Sequence, residues 1–349
     1  MQSFKVAKIF TDNQAPLSSL CFDDSGELCV TSAEDESLHV YDCKEGKLKA
    51  TLFSKKYGVN LARFTHSKNN VVYASTKEDD TLRYLSLHDN KYIRYFRGHK
   101  KRVLALEMSP LGDQFLSASL DETARLWDLR SAACQGMIHI KGRPTVAVDP
   151  AGLVFAVGLG SKEIKMYDLR AYDSGPFSTW TVEDSYTPMG LPEWTNLRFS
   201  NDGKHIMIST VSNMNYLIDA YNGSLKQRLV GHAGPGMSTS GEEIGMSPDG
   251  RFAFAGGGDG NLRVWDIQPP NLGNAPFDNM PIVTLPTPHQ TRGVRICGFS
   301  PSLLMLATGT DELFSESSSG VRSLGRITTN TEHQTSNTEH RTKVLNELI

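Results

Sequence analysis

The 349-residue chain lacks most of the features that mark a secreted protein, a membrane protein or an enzyme. It has only five cysteines, Cys21, Cys29, Cys43, Cys134 and Cys297, and no Cys-x-x-Cys pair. That odd, irregular set predicts reduced thiols in a cytosolic or nuclear protein. No stretch approaches the ~18 consecutive apolar residues of a membrane-spanning helix, and Met1 to Phe10 has no apolar run of the signal-peptide kind. The sequon Asn222-Gly223-Ser224 is therefore expected to go unused, and no membrane partner is expected. Charge of neither sign dominates: 36 basic and 39 acidic residues leave a net −3, so any electrostatic footprint must be local. The chain also lacks G-x-S-x-G, G-x-x-x-x-G-K-[ST], H-E-x-x-H, and a G-x-G-x-x-G that follows a strand. Gly256-Gly257-Gly258-Asp259-Gly260 reads as a strand end and tight turn. We expect no catalytic residue and no cofactor.

What the chain does have is a recurring phrase. A hydrophobic residue leads into a turn such as Ser-Pro-x-Gly after Phe22, Phe64, Met108, Val148, Phe199, Met246 and Phe299, at intervals of 40 to 53 residues. A second phrase pairs a large apolar or aromatic residue with a terminal Asp. It ends at Asp42, Ser86, Asp128, Asp168, Asp219 and Asp266, and its spacing drifts with the first. Two markers that drift together belong to one unit. A strand-rich unit of about 40–45 residues is the signature of a β-propeller blade.

The cleanest unit runs from Gly98 to Ile140. Short apolar or alternating runs, bounded by turn residues, read as four strands. These units resemble WD repeats. The resemblance implies a buried hydrogen-bonded tetrad, which here matches His99, Ser119, Asp121 and Trp127. A fully paired polar network of this kind rigidifies a blade. The unit that ends at Trp265-Asp266 keeps Gly231-His232 and Asp259 but has Gly257 at the matched serine, so its network is expected to be incomplete.

Seven turns predict an all-β, seven-bladed WD-repeat propeller over residues 1–314. Phe4, Val6 and Ile9, within 1–10, supply the closing strand of the last blade, and closure removes exposed sheet edges. That last blade is irregular, because the expected aromatic third strand is replaced by Leu313, Phe314, Ser315 and Glu316. Residues 315–349 have fifteen Ser, Thr or Asn and no aromatic, and read as a disordered polar tail. Two alternatives stay open for this end: Val321 to Thr328 loops back as the missing strand, or the terminus comes from an alternative transcript end. His333 and His340 are too few ligands for a zinc site, and no metal site is expected. The Pro- and Asn-rich insertion from Pro269 to Pro281 reads as a surface loop.

A narrower resemblance rests on Val148-Asp149-Pro150-Ala151-Gly152-Leu153-Val154-Phe155-Ala156, Ile164 to Arg170, Asp173-Ser174-Gly175-Pro176-Phe177 and Glu193 to Lys204. Together these look like the WD-repeat subunit of COMPASS, the histone H3 lysine-4 methyltransferase complex, from the N-terminus to about Thr308. The same family serves in cleavage-and-polyadenylation factor and in a nuclear phosphatase complex. The resemblance implies a non-catalytic scaffold in the nucleus, working in histone methylation and in transcription termination or mRNA 3′-end processing. Its implied partners are the methyltransferase catalytic subunit and other COMPASS subunits, cleavage-and-polyadenylation factor subunits, and the phosphorylated C-terminal domain of RNA polymerase II.

In three successive repeats the loop before the first strand is basic: Lys55-Lys56, then Lys100-Lys101-Arg102, then Lys141 and Arg143. Adjacent blades bring these together as a candidate face for a phosphorylated or acidic peptide. The alternative reading is a solvated rim. No aromatic platform is read as interleaved with these cations, so no nucleic-acid site is evident. Trp127-Asp128-Leu129-Arg130 and Tyr167-Asp168-Leu169-Arg170 resemble the Asp-x-Arg boxes of substrate receptors for cullin–RING ubiquitin ligases. They put Arg130 and Arg170 on the opposite face as a rival site.

Overall fold

The computed structural model describes residues 4–187, 190–234, 241–268, 276–287, 293–310 and 312–318. They form an all-β propeller whose strands make seven sheets, with one short 3-10 turn at Tyr172–Ser174. Among the described residues no helix is long and apolar enough to cross a membrane. The first sheet shows the pattern: inner strand Leu17–Phe22, then Leu28–Ala33, Ser37–Asp42 and outer strand Lys47–Phe53, each antiparallel to the last.

The two recurring phrases do mechanical work at the same end of each sheet. The Ser or Asp of the first phrase accepts the amide that starts the second strand. Asp23 takes Leu28 at 2.7 Å, Asp149 takes Val154 at 2.8 Å, and Ser247 takes Phe252 at 2.9 Å. The Asp of the second phrase accepts the amide two residues on: Arg130 at 2.8 Å, Arg170 at 2.7 Å and Gln268 at 2.9 Å. These are the local side-chain-to-backbone bonds that make Ser and Asp turn residues.

The large residue before that Asp is the wedge between sheets. Strand register puts Tyr41, Leu85, Trp127, Tyr167, Ile218 and Trp265 at one equivalent position, opposite Cys29, Val71, Phe115, Phe155, Ile206 and Ala253. All six are buried. Each packs on the preceding sheet: Trp127 against Val72, Leu82 and Phe96 of the second, and Trp265 against Met207, Leu217 and Leu229 of the fifth. Tyr41 of the first sheet packs on Phe10, Ala307 and Leu313 of the seventh, so the series closes on itself.

The seventh sheet is built from both ends of the described chain. Strand Phe4–Phe10 pairs antiparallel with Leu313–Ser318, which pairs with Met305–Gly309 and then with Ile296–Phe299. The third strand thus continues to Ser318, past the boundary at 314 expected from composition; residues 319–349 lie outside the described residues. Its irregularity is chemical. At the wedge position, opposite Leu306, stands Glu316, and at the capping Asp position, opposite Met305, stands Ser317.

Two further expectations are corrected. The tetrad serine is Ser117, not Ser119. The Ser117 hydroxyl lies 2.7 Å from His99 Nε2 and accepts from Trp127 Nε1 at 2.8 Å, while His99 Nδ1 meets Asp121 at 3.0 Å. Ser119 lies on the same strand face but two residues nearer the hairpin. There it donates to the Lys101 carbonyl at 2.6 Å and accepts the Asp121 amide. The equivalent position in the sixth sheet is therefore Ala255, not Gly257. With no hydroxyl there, Trp265 donates to the Val230 carbonyl and His232 turns to the Gly256 carbonyl. The insertion is also more than a loop. Phe277–Asn279 adds a parallel fifth strand beside Leu225–Leu229 and covers that sheet's edge.

Burial opposes ionisation of Asp121, but hydrogen bonds from Thr123, the Lys100 amide and His99 outweigh it and hold the carboxyl at about 2. Asp121 thus stays ionised well into acid. Ser117→Ala leaves two buried nitrogens without a partner and should cost about 2–4 kcal/mol, against about 1 kcal/mol for Ser119→Ala. Denaturant melts of the two variants check the order. A larger loss for Ser119→Ala would put the key hydroxyl back at 119.

Candidate partner-binding face

The loops that lead into the inner strands lie together on one face. The loop from Ser54 to Gly58 is held by the Gly58 amide on the Ser54 carbonyl at 2.7 Å, and the Tyr57 carbonyl accepts Thr76 and Lys77 at 3.0 and 2.8 Å. Gly58 has φ +69°, and a Cβ there would strike the Thr76 hydroxyl, so the turn requires glycine. This fixes Lys55, Lys56 and Tyr57 beside the second sheet.

Aromatic rings do stand among these cations. Lys55 Nζ lies 5.3 Å from the exposed Phe53 ring and Lys56 Nζ lies 5.2 Å from that of Tyr57. The Arg83 guanidinium stacks 3.6 Å from Tyr57, and Arg97 lies 5.4 Å from Tyr95. Arg83 is buried and bidentate to Asp79 at 2.8 and 3.0 Å, so it anchors the cluster. Phe53 and Tyr57 flank Lys55-Lys56 in the chain, whereas Tyr95 comes from the outer strand of the second sheet, more than 40 residues after Phe53.

Among the described residues, Lys55, Lys56, Lys100, Lys101, Arg102 and Lys141 make no ion pair, while Arg143 meets Glu193 at 3.5 Å. Arg102 helps line a polar hollow of about 440 Å³ with Glu34, Glu36, Asp80, Lys77 and Arg295. There Glu34 pairs with Arg295 at 2.7 Å and Glu36 with Lys77 at 2.5 Å. The face is therefore mixed in sign at this hollow and carries its unpaired cations at Lys55, Lys56, Lys100, Lys101 and Lys141. Arg130, at the far end of its strand, forks onto its own Asp128 at 2.9 and 2.6 Å. The side chain of Asp168 holds the Arg170 amide. Both Asp-x-Arg boxes thus act as turn closures.

The centre of the ring holds a second cluster that sequence reading missed. Arg63, on inner strand Asn60–Phe64, reaches across the axis to Glu242 Oε1 at 2.5 Å and donates to the Leu106 carbonyl at 3.1 Å. Glu107 lies 3.9 Å away. The signal was an arginine inside the apolar run Leu-Ala-Arg-Phe and the pair Glu242-Glu243 just before an inner strand. Next to it, the Cys297 thiol donates to the Glu243 carbonyl, and burial pushes that thiol up to about 12. Among the described residues no cluster of His, Cys, Asp and Glu could hold a metal ion.

Burial raises the Glu243 carboxyl to about 7, with Glu242 adding to the rise and the Ser209 hydroxyl opposing it. A carboxyl raised in the folded state contributes stability that is full below about pH 4.5 and lost as pH passes about 7. Glu243→Gln should remove about 2 kcal/mol of stability loss between roughly pH 5 and pH 8. Paired pH-stability curves for parent and variant check this, and parallel curves would show that Glu243 does not titrate in that window.

The WD domain, G-beta repeat family matches residues 4–42, 90–128 and 223–266. Over 308 residues the chain is 44% identical to WD repeat-containing protein 82 of Drosophila melanogaster, across 88% of this chain and 92% of that one. It is 41% identical over 256 residues to Set1 complex component swd2 of Schizosaccharomyces pombe, across 72% and 71%. It is 36% identical over 270 residues to COMPASS component SWD2 of Saccharomyces cerevisiae, across 75% and 80%.

Proposed function

The chain belongs to the WD-repeat family that includes WD repeat-containing protein 82 and the Swd2 components of the Set1 and COMPASS complexes, and from that premise we propose that it is a non-catalytic scaffold subunit of a nuclear histone methyltransferase complex. The observation that carries this reading is likeness over nearly the whole length of a relative, 92% of it at 44% identity. The seven sheets serve as seven blades of one closed ring, a rigid platform for peptide segments of partner subunits. Methyltransferase and other COMPASS subunits are the first partners. Cleavage-and-polyadenylation factor subunits and the phosphorylated C-terminal domain of RNA polymerase II are the further ones.

The geometry supports this use of the face. Unpaired lysines beside the exposed Phe53 ring and the half-buried Tyr57 ring suit a phosphorylated peptide, through charge-assisted bonds and ring contacts. The ring's centre is occupied by the Arg63–Glu242 pair, which favours binding on the face over chemistry in the channel. No observation favours a ligase-adaptor site at Arg130 and Arg170, whose Asp-x-Arg boxes close their own turns.

Reversing charge at Lys55, Lys56, Lys100 and Lys101 to Glu should weaken a phosphorylated polymerase repeat peptide at least about tenfold and flatten the salt dependence of binding. Arg130→Ala with Arg170→Ala should leave that affinity unchanged. Fluorescence anisotropy at two salt concentrations reads both. Unaltered affinity in the lysine variant would reduce this face to a solvated rim.

A further inference from the structure

Six of the seven contacts between neighbouring sheets are filled by the large third-strand residue of one sheet. At the seventh contact, between the sixth and seventh sheets, the sequence places no large apolar residue at that register position. The position that holds Tyr, Leu, Trp, Tyr, Ile and Trp elsewhere is Glu316 here, fixed by its pairing opposite Leu306. A cavity of about 360 Å³ lies at this contact.

Its walls correspond by register to those that surround Trp127. Phe254, Val264 and Leu285 of the sixth sheet stand where Val72, Tyr84 and Phe96 stand in the second. Phe299 and Leu306 of the seventh stand where Met108 and Phe115 stand in the third. Among the described side chains, the buried cluster here joins Phe252, Phe254, Leu262, Val264 and Val283 to Cys297 and Leu306, without a third-strand residue of the seventh sheet. At these five positions the cavity has the walls of a tryptophan-type socket. At one end it is flanked by two turns, Ser247–Asp249 and Ser300–Leu304, whose Asp249, Pro301 and Ser302 are exposed to solvent.

We propose that this socket between the sixth and seventh sheets is a docking site for an aromatic side chain, tryptophan or tyrosine, presented by an extended segment of a partner protein. The chain itself shows what such a socket accepts, because four of its six filled equivalents hold Trp or Tyr. Residues 315–349 contain no aromatic, so the chain's C-terminal segment has no ring to offer this socket. Burying a ring there restores the apolar contact that the other sheets make internally, and aromatic anchors in formed pockets dominate binding energy in peptide interfaces. The proposal rests on the reading of the chain as a peptide-binding scaffold.

The probe is N-acetyl-tryptophanamide, with N-acetyl-alaninamide as control, titrated into the full chain and followed by calorimetry. The tryptophan probe should bind saturably at about millimolar strength and raise the melting midpoint by about 2 °C, while the alanine control does neither. Glu316→Trp supplies the ring within the chain. It should raise the midpoint without probe and weaken probe binding at least tenfold. If that variant fails to fold, Val264→Phe narrows the socket from the other wall and should weaken the probe similarly. No binding to the parent chain overturns the proposal, as does binding that survives both substitutions. Binding that emerges only after Val321→Ser and Leu324→Ser also overturns it, because the chain's own C-terminal segment would then be the occupant. Failure of the chain to enter a methyltransferase complex would sink the scaffold reading instead and leave the probe result standing.

Discussion

The whole ring depends on the pairing of Phe4–Phe10 with Leu313–Ser318, because a propeller of packed sheets is stable only when the last sheet leans on the first. Six of the seven sheets rest on the one before them through a buried wedge, and the series closes where Tyr41 of the first sheet packs on the seventh. Tyr41 packs on Phe10 with ring centroids 4.6 Å apart, and its hydroxyl accepts from Asn13 at 3.2 Å. The N-terminal strand therefore does two things at once: it covers an open edge of the seventh sheet and supplies part of the floor on which the first sheet stands.

The fold was legible because its two markers act locally. A Ser or Asp that caps the next strand, and an Asp that closes the next turn, leave their trace within a few residues of what they hold. The tetrad was legible in kind but not in register. Ser117 and Ser119 are both serines on one strand face, and only the reach of the Trp127 ring distinguishes them. The strand Phe277–Asn279 was hidden because its pairing is parallel, three residues long and supplied by another repeat's insertion.

The candidate face was half legible. Lys55 and Lys56 are neighbours in sequence of their rings Phe53 and Tyr57, whereas Arg83 and Tyr95 reach the cluster only through the fold. The Arg63–Glu242 bond joins residues 179 apart, and no local pattern carries that information. It is also where the electrostatics are most demanding. A buried guanidinium is tolerable only with a carboxylate in direct contact, and one carboxylate next to that pair is pushed toward its neutral form instead.

The order of strands along the chain has a consequence for synthesis. The segment Phe4–Phe10 leaves the ribosome about 300 residues before the strand it must pair with, a wait of roughly 15 to 60 s at ordinary elongation rates. Six sheets can form as they emerge, but throughout that interval the nascent ring has an unpaired leading strand and an unsupported first face. The period of greatest vulnerability to misassociation thus falls before Leu313–Ser318 emerges, when a chaperone at the ribosome can hold the ring open until its two strands meet.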